Sequence, residues 1–175
     1  MLKSKQIALA PLRPGDMPLM YEWINNRELV ILNGPFRAVS RAEHEAWFNS
    51  IQGRADTVIF GIRLLEDDTL IGSCQLHSIS PVHRSAELQI RLGETSRHGK
   101  GFGTEAVGLL LDYAFKELKL HRVYLHVFST NLPAIRVYEK TGFVREGLLR
   151  KAACIEGEFR DVLLMAILEE EYGRQ

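Results

Sequence analysis

Residues 97–106 read RHGKGFGTEA, and the apolar-periodic VGLLLDYAF follows at once. Three glycines in five residues, Gly99, Gly101 and Gly103, stand directly before a helix. In that helix Val107, Leu110, Leu111, Ala114, Phe115 and Leu118 fall at i, i+3, i+4, i+7, i+8 and i+11, a stripe that needs one buried face. A glycine-rich turn opening such a helix is a recipe for holding phosphate. The first-turn N–H groups lack partners, the helix dipole favours negative charge, and glycine lets a ligand approach the backbone. A turn that merely packs strand against helix is the bland alternative. It accounts for one glycine, scarcely for three with Arg97, His98 and Lys100 among them.

The rest of the chain arranges itself around this turn. Ile7 to Leu12 reads as a strand ending at RPGD, and Asp16 is placed to cap a helix carrying Met17, Met20 and Trp23. Ser40 with Glu43 three residues on makes a capping-box signature for a second helix through Phe48. VIFGIRLL, LIGSCQLHSI and SAELQIRL then read as a meander of three strands, with EDDT and PVHR as turns. After the glycine turn and its helix come a strand over 122–128, a helix from STNLPAIRVYEKTG with Pro133 in its first turn, and two strands around IEGE. No repeat, linker or low-complexity tract interrupts this order. At 175 residues it predicts one mixed α/β (α+β) domain over 1–175 built around a single sheet.

Spacing separates the users of glycine-rich turns. A nucleoside triphosphatase loop needs G-x-x-x-x-G-K-[ST], and no Gly-Lys-Ser or Gly-Lys-Thr occurs. Gly101, Gly103 and Ala106 do satisfy the dinucleotide pattern G-x-G-x-x-A. That fold wants an acidic residue at the end of the next strand, and YLHVFST has none. Lys plus Arg and Asp plus Glu both number 22, so no charge excess points to nucleic acid or an anionic membrane. Cys74 and Cys154 lie far apart without metal-ligand company and read as strand or core residues of a reduced, cytoplasmic protein; no metal is expected. The N-terminal segment lacks the apolar run of a signal peptide, and no stretch approaches the roughly 18 apolar residues of a membrane span.

HGKGFG at 98–103, followed by T-E-A and an amphipathic helix, resembles the acyl-CoA pyrophosphate loop of the GNAT superfamily of N-acetyltransferases, [Q/R]-x-x-G-x-[G/A]. STNLPAIRVYEKTGF matches the family's later motif N-x-x-A-x-x-x-Y-x-K-x-G-F, with Asn131, Ala134, Tyr138, Lys140, Gly142 and Phe143 in place. The closing REGLLRKAACIEGEFRDVLLMAIL is similar to the branch holding ribosomal-protein N-terminal acetyltransferases and spermidine N-acetyltransferase. The first loop position, usually Gln or Arg, is His98 here, with Arg97 one step before it. The backbone cradle does not depend on that side chain, and Arg97 can supply the phosphate contact.

The resemblance implies a GNAT fold: a central, mostly antiparallel, splayed sheet of about seven strands flanked by about four helices. It implies acetyl-CoA as co-substrate, the pyrophosphate resting on Arg97, His98, Gly99, Lys100, Gly101, Phe102, Gly103 and Thr104. Ile90 and Leu92 would pair with the pantetheine arm, and Asn131 would touch the cofactor from the second helix start. It implies transfer of an acetyl group to a primary amine by direct attack in a ternary complex, with Tyr138 as the acid that protonates the thiolate.

For the base, Glu87 ranks first, since it shares a strand face with Gln89 and Arg91; His77 is weaker, and His126 carries less case still. Phe36 and Arg37, in the irregular 25–39 segment, are the candidate acceptor residues. They suggest a small-molecule amine or amino sugar with a carboxylate, phosphate or sugar face, while a protein N-terminus stays open. The acidic pair that a polyamine needs is missing from that segment. The C-terminal hairpin offers an edge for a homodimer. The rival from another class is a GNAT-fold module that binds acyl-CoA without turnover.

Overall fold

The structure, a computed structural model, describes residues 1–94 and 97–173. Leu2–Lys3 (β1) and Ile7–Ala10 (β2) open the sheet, followed by Val58–Leu64 (β3), Leu70–Ser80 (β4), Ser85–Leu92 (β5), Arg122–Phe128 (β6), Val144–Ile155 (β7) and Glu158–Leu168 (β8). The strand order is β1-β2-β3-β4-β5-β6-β8-β7, and each neighbouring pair is antiparallel except β5 with β6. The expected meander is β3–β4–β5. β2 stops at Ala10, short of the expected Leu12, because Pro11 has no N–H to give the ladder.

Helices Met17–Ile24 (α1), Arg27–Val30 (α2) and Arg41–Ile51 (α3) precede the meander; Phe102–Asp112 (α4), Leu132–Lys140 (α5) and Glu169–Tyr172 (α6) follow it. The Ser40–Glu43 capping box forms as expected: Glu43 N–H donates to Ser40 Oγ at 3.2 Å and Ser40 N–H to Glu43 Oε2 at 2.8 Å. α4 runs on into a single π turn over Tyr113–Glu117. α5 takes Pro133 in its first turn and is capped by Asn131, whose Oδ1 accepts from Ala134 N–H at 3.3 Å. The two-residue turn at Glu156 and Gly157, both at positive φ, joins β7 to β8 as a type I′ hairpin. β7 ends the sheet as an edge strand with Val144, Leu148 and Leu149 exposed.

One core lies between the sheet and α4 with α5. It holds Leu9, Ile62, Ile71, Leu76, Leu110, Leu111, Leu125 and Met165, with Tyr138 and Phe143 at its rim. A second cluster of Met20, Trp23, Leu29 and Leu70 seats α1 and α2 on the other side. Gly93, just past β5, belongs to this seat, since a Cβ added there would lie inside the Trp23 indole. Gly93→Ala therefore overpacks the cluster and costs about 1–3 kcal/mol, expected as a lowered Tm in thermal unfolding.

Asp16 does not cap α1. Its own backbone is helical, so a 3-10 turn over Pro14–Asp16 runs straight into the helix. The carboxylate turns away instead, accepting from Arg13 N–H at 2.7 Å and pairing with the Arg63 guanidinium from β3, both partners buried. Of the cysteines, Cys74 is buried on β4, where burial pushes its thiol pKa up, while Cys154 lies exposed on β7.

Candidate active site

β5 and β6 pair through only three steps, Ser85 with Arg122, Ala86 with Val123 and Glu87 with Tyr124. Beyond Glu87 the two strands part, while β5 stays bonded to β4 as far as Leu92. The fork leaves one edge of residues 88–92 free of a strand partner on the β6 side. Two cavities open there, and both are bounded by Ile90 and Arg91.

The larger, about 660 Å³, lies on the α4–α5 side. Gly99 and Gly101 bound it at φ +77° and +88°, a backbone region that side-chain-bearing residues rarely adopt. A Cβ at either would meet nothing within 4 Å, and at Gly103 only ordinary contacts with Val137 and Leu92 at 3.8 and 3.9 Å. Close packing of strand on helix therefore does not explain these glycines. No side chain caps α4, and Glu105 is the first residue of the helix whose N–H reaches back to a carbonyl, Gly101 O at 3.1 Å. The N–H groups of Phe102, Gly103 and Thr104 are left at the mouth of this cavity, where an anion would meet the positive end of the helix.

Leu92, Arg97, His98 and Asn131 also line this cavity, whereas Lys100 is exposed and outside its wall. Arg97 is held by Glu94 (Nε to Oε2, 3.3 Å), and His98 Nε2 sits 3.4 Å from Leu92 O. Asn131 is occupied by its capping bond and by donation from Nδ2 to Leu32 O at 3.4 Å. Sequence reasoning missed Arg136 and Arg160 and did not give Lys140 a site role; these three add positive charge to the wall. Arg136 is four residues before Lys140 on the same face of α5, a spacing visible in the chain. Arg160 comes from β8 and left no local signal.

Tyr138 projects from α5 into the same cavity, 6% exposed, its ring 5.7 Å from Phe143 in an edge-on arrangement. Burial pushes its phenol up to about 12. On the opposite side of β5, Glu87 Oε1 accepts a 2.7 Å hydrogen bond from His126 Nδ1. With a carboxylate as acceptor, Nδ1 is the donor of this bond, and Nε2 is left for another partner. Nothing local in the sequence marks His126, which ranks below Glu87 and His77 there; β6 brings it two residues beyond Tyr124, at the mouth of the fork.

The smaller cavity, about 350 Å³, lies between the sheet and α1 with α3. Ser73, Gln75, Gln89 and Arg91 make its polar floor, and Met20, Ile24, Val39 and Trp47 its apolar wall. Asn25 ties the irregular segment down by giving Nδ2–H to Val39 O at 3.1 Å and taking Val39 N–H at 2.9 Å. Arg37 lines the cavity, ion-paired to Glu43 at 2.8 Å, whereas Phe36, half-buried, lines neither cavity. His44 stacks on Trp47 with ring centroids 5.3 Å apart, and burial lowers its pKa. Among the described residues, no cluster of three or more His, Cys, Asp or Glu side chains could hold a metal ion, and no helix is long and apolar enough to cross a membrane.

A model of the acetyltransferase (GNAT) domain matches residues 6–144. The chain belongs to the GNAT acetyltransferase family. It is 34% identical to the spermidine N(1)-acetyltransferase of Vibrio cholerae over 97% of this chain and 96% of that one. The crystal structure of the Vibrio enzyme in complex with CoA and spermine superposes with a TM-score of 0.91, covering 97% of this chain and 99% of that one. A putative ribosomal N-acetyltransferase of Bacillus subtilis, YdaF, is 34% identical over 62% of this chain and 59% of its own. The GNAT fold is thus the eight-stranded, mostly antiparallel sheet described above, with four helices of eight residues or more and two single turns. As a member the protein is an acyltransferase, and acetyl-CoA is its co-substrate. The larger cavity suits that molecule: it is big enough, rimmed by cations, and backed by uncapped N–H groups.

Proposed function

We propose that residues 1–175 form a single GNAT domain that moves an acetyl group from acetyl-CoA to a primary amine, both substrates being bound together. The observation that carries this reading is the fork: where β5 has left β6, Ile90 and Arg91 line both cavities. The larger cavity takes the donor and the smaller the acceptor amine.

Bound acetyl-CoA supplies a thioester carbonyl open to attack. Gly99 to Thr104 present backbone N–H groups to the pyrophosphate, with Arg97 and Arg136 adding charge. The free edge of Ile90 and Leu92 offers the amide groups that an extended pantetheine arm can pair with. The incoming amine must be neutral, yet a free amine near pKa 10 is mostly protonated at neutral pH. Glu87, through His126 and water, takes up that proton; the pair is partly exposed, so the proton can pass to solvent. Tyr138 donates its phenolic proton to the leaving sulfur. A phenol raised to about 12 stays protonated through the neutral range and is therefore loaded for each cycle.

The acceptor is a small amine other than a polyamine. The Vibrio relative is named for spermidine, but among the described residues the one acid on the smaller cavity, Glu43, is already paired with Arg37. Several ammonium groups would find no free carboxylate there.

Ligand-dependent thermal unfolding tests the donor half. CoA or desulfo-CoA at 100 times its Kd adds about 2.7 kcal/mol, which raises Tm by roughly 5–10 °C in a chain of this size. NAD at the same concentration is expected to leave Tm unchanged, and a shift with NAD alone would return the glycines to a dinucleotide reading.

A further inference from the structure

Among the described residues Arg91 is the one charged side chain that bounds both cavities, and it is unanswered. Its Nε is buried without a hydrogen-bond partner, and it enters no ion pair among the described residues. Arg91 as a whole is partly exposed, yet a buried guanidinium nitrogen without a partner is costly, and folded proteins seldom keep one unless something meets it. Burial lowers its pKa, the direction expected of a cation with no compensating acid.

The strand register says which side it serves. In β4–β5 pairing Arg91 stands opposite Ser73 and Gln89 opposite Gln75. These four share one face, the floor of the smaller cavity. Gln75 and Gln89 are hydrogen-bonded to each other, so their amides are partly spent, while the Arg91 fork is not. Arg37 and Glu43 cancel, and His44 is shifted towards its neutral form. Among the described residues the smaller cavity therefore carries one uncompensated positive charge at its floor, on a residue that also lines the larger cavity.

We infer that the acceptor is an amine that also carries an oxyanion, carboxylate or phosphate, and that Arg91 receives that group. This rests on the two-cavity reading above and narrows its substrate class. A guanidinium fork matches both oxyanions in bidentate geometry. It also selects against polyamines, since an ammonium approaching Arg91 meets like charge in a partly desolvated site. Arg91 thus orients the acceptor from the floor while the amine reaches past Ile90 towards the donor.

The test uses two matched pairs, glucosamine 6-phosphate with glucosamine and β-alanine with β-alaninamide, plus spermidine. Thermal unfolding is followed with CoA saturating, so that the glycine loop is already filled. At least one oxyanion-bearing amine is expected to raise Tm, and its neutral partner and spermidine are not; the pair that responds says whether carboxylate or phosphate is preferred. Arg91→Met and Arg91→Gln are expected to abolish the difference while leaving CoA affinity unchanged.

With acetyl-CoA, the same amine should show kcat/KM roughly ten- to hundredfold above its neutral partner. The loss in the variants should fall mainly on KM. Equal shifts in wild type and variants, preference for a neutral amine or spermidine, silence from every amine, or weakened CoA binding in the variants would each overturn the assignment. An anionic amine that binds through Arg91 but is never acetylated would instead sustain the Arg91 assignment and defeat the proposed reaction.

Discussion

Tyr138→Phe is expected to leave CoA affinity and Tm close to wild type and to lower kcat by about 10²–10⁴, the usual worth of a positioned acid or base. The substitution removes one oxygen from a ring whose packing against Phe143 is unchanged, and among the described residues no hydrogen bond holds that hydroxyl. Stability should therefore be indifferent to it. The acid role also sets a pH signature. Burial raises the folded pKa to about 12 from the ordinary 10, so the phenol's contribution to stability is whole below pH 10 and is lost as pH rises through 12. Over pH 6–9 neither stability nor rate should report its titration. A variant with full turnover would remove Tyr138 from the chemistry and leave the leaving thiolate to water.

The largest effect on stability is expected away from the cavities, at Asp16→Ala. Asp16 and Arg63 are both buried, and Arg63 keeps only Asp68, through a 2.9 Å bond to its carbonyl and a 3.8 Å approach to its carboxylate, if Asp16 is lost. Arg63 Nε already lacks a partner. Removing one side of such a pair strands the other, at about 3–5 kcal/mol, which in a chain of this length lowers Tm by on the order of 10 °C. The double change Asp16→Leu with Arg63→Met should recover most of the loss, because charge and counter-charge leave together. A single variant with wild-type Tm would mean that water reaches the pair.

What the chain disclosed in advance follows from the range of each interaction. The α3 capping box, the α5 start at Asn131 and Pro133, and the turn at Glu156 and Gly157 are written within four residues and were read correctly. Asp16 has the local look of a cap, and only β3, 47 residues away, shows that Arg63 claims it. The same limit hid the site's polar partners. Glu87 was visible as a carboxylate on a strand face, but His126 meets it across a parallel pairing that joins positions 39 apart. Arg37 was legible as a cation in an open segment, yet Glu43 neutralises it. Arg91 was legible as a member of the strand face with Glu87 and Gln89, but it emerged as the unanswered charge only once both cavities could be traced.

The measurement that bears most directly on the two-cavity mechanism is the initial rate of CoA release, with acetyl-CoA and the best amine of the panel varied together. Direct attack across the fork predicts intersecting double-reciprocal lines and no acetylated protein when acetyl-CoA is supplied without amine. Parallel lines, with an acetyl group carried on the protein, would mean a covalent relay and would contradict the account.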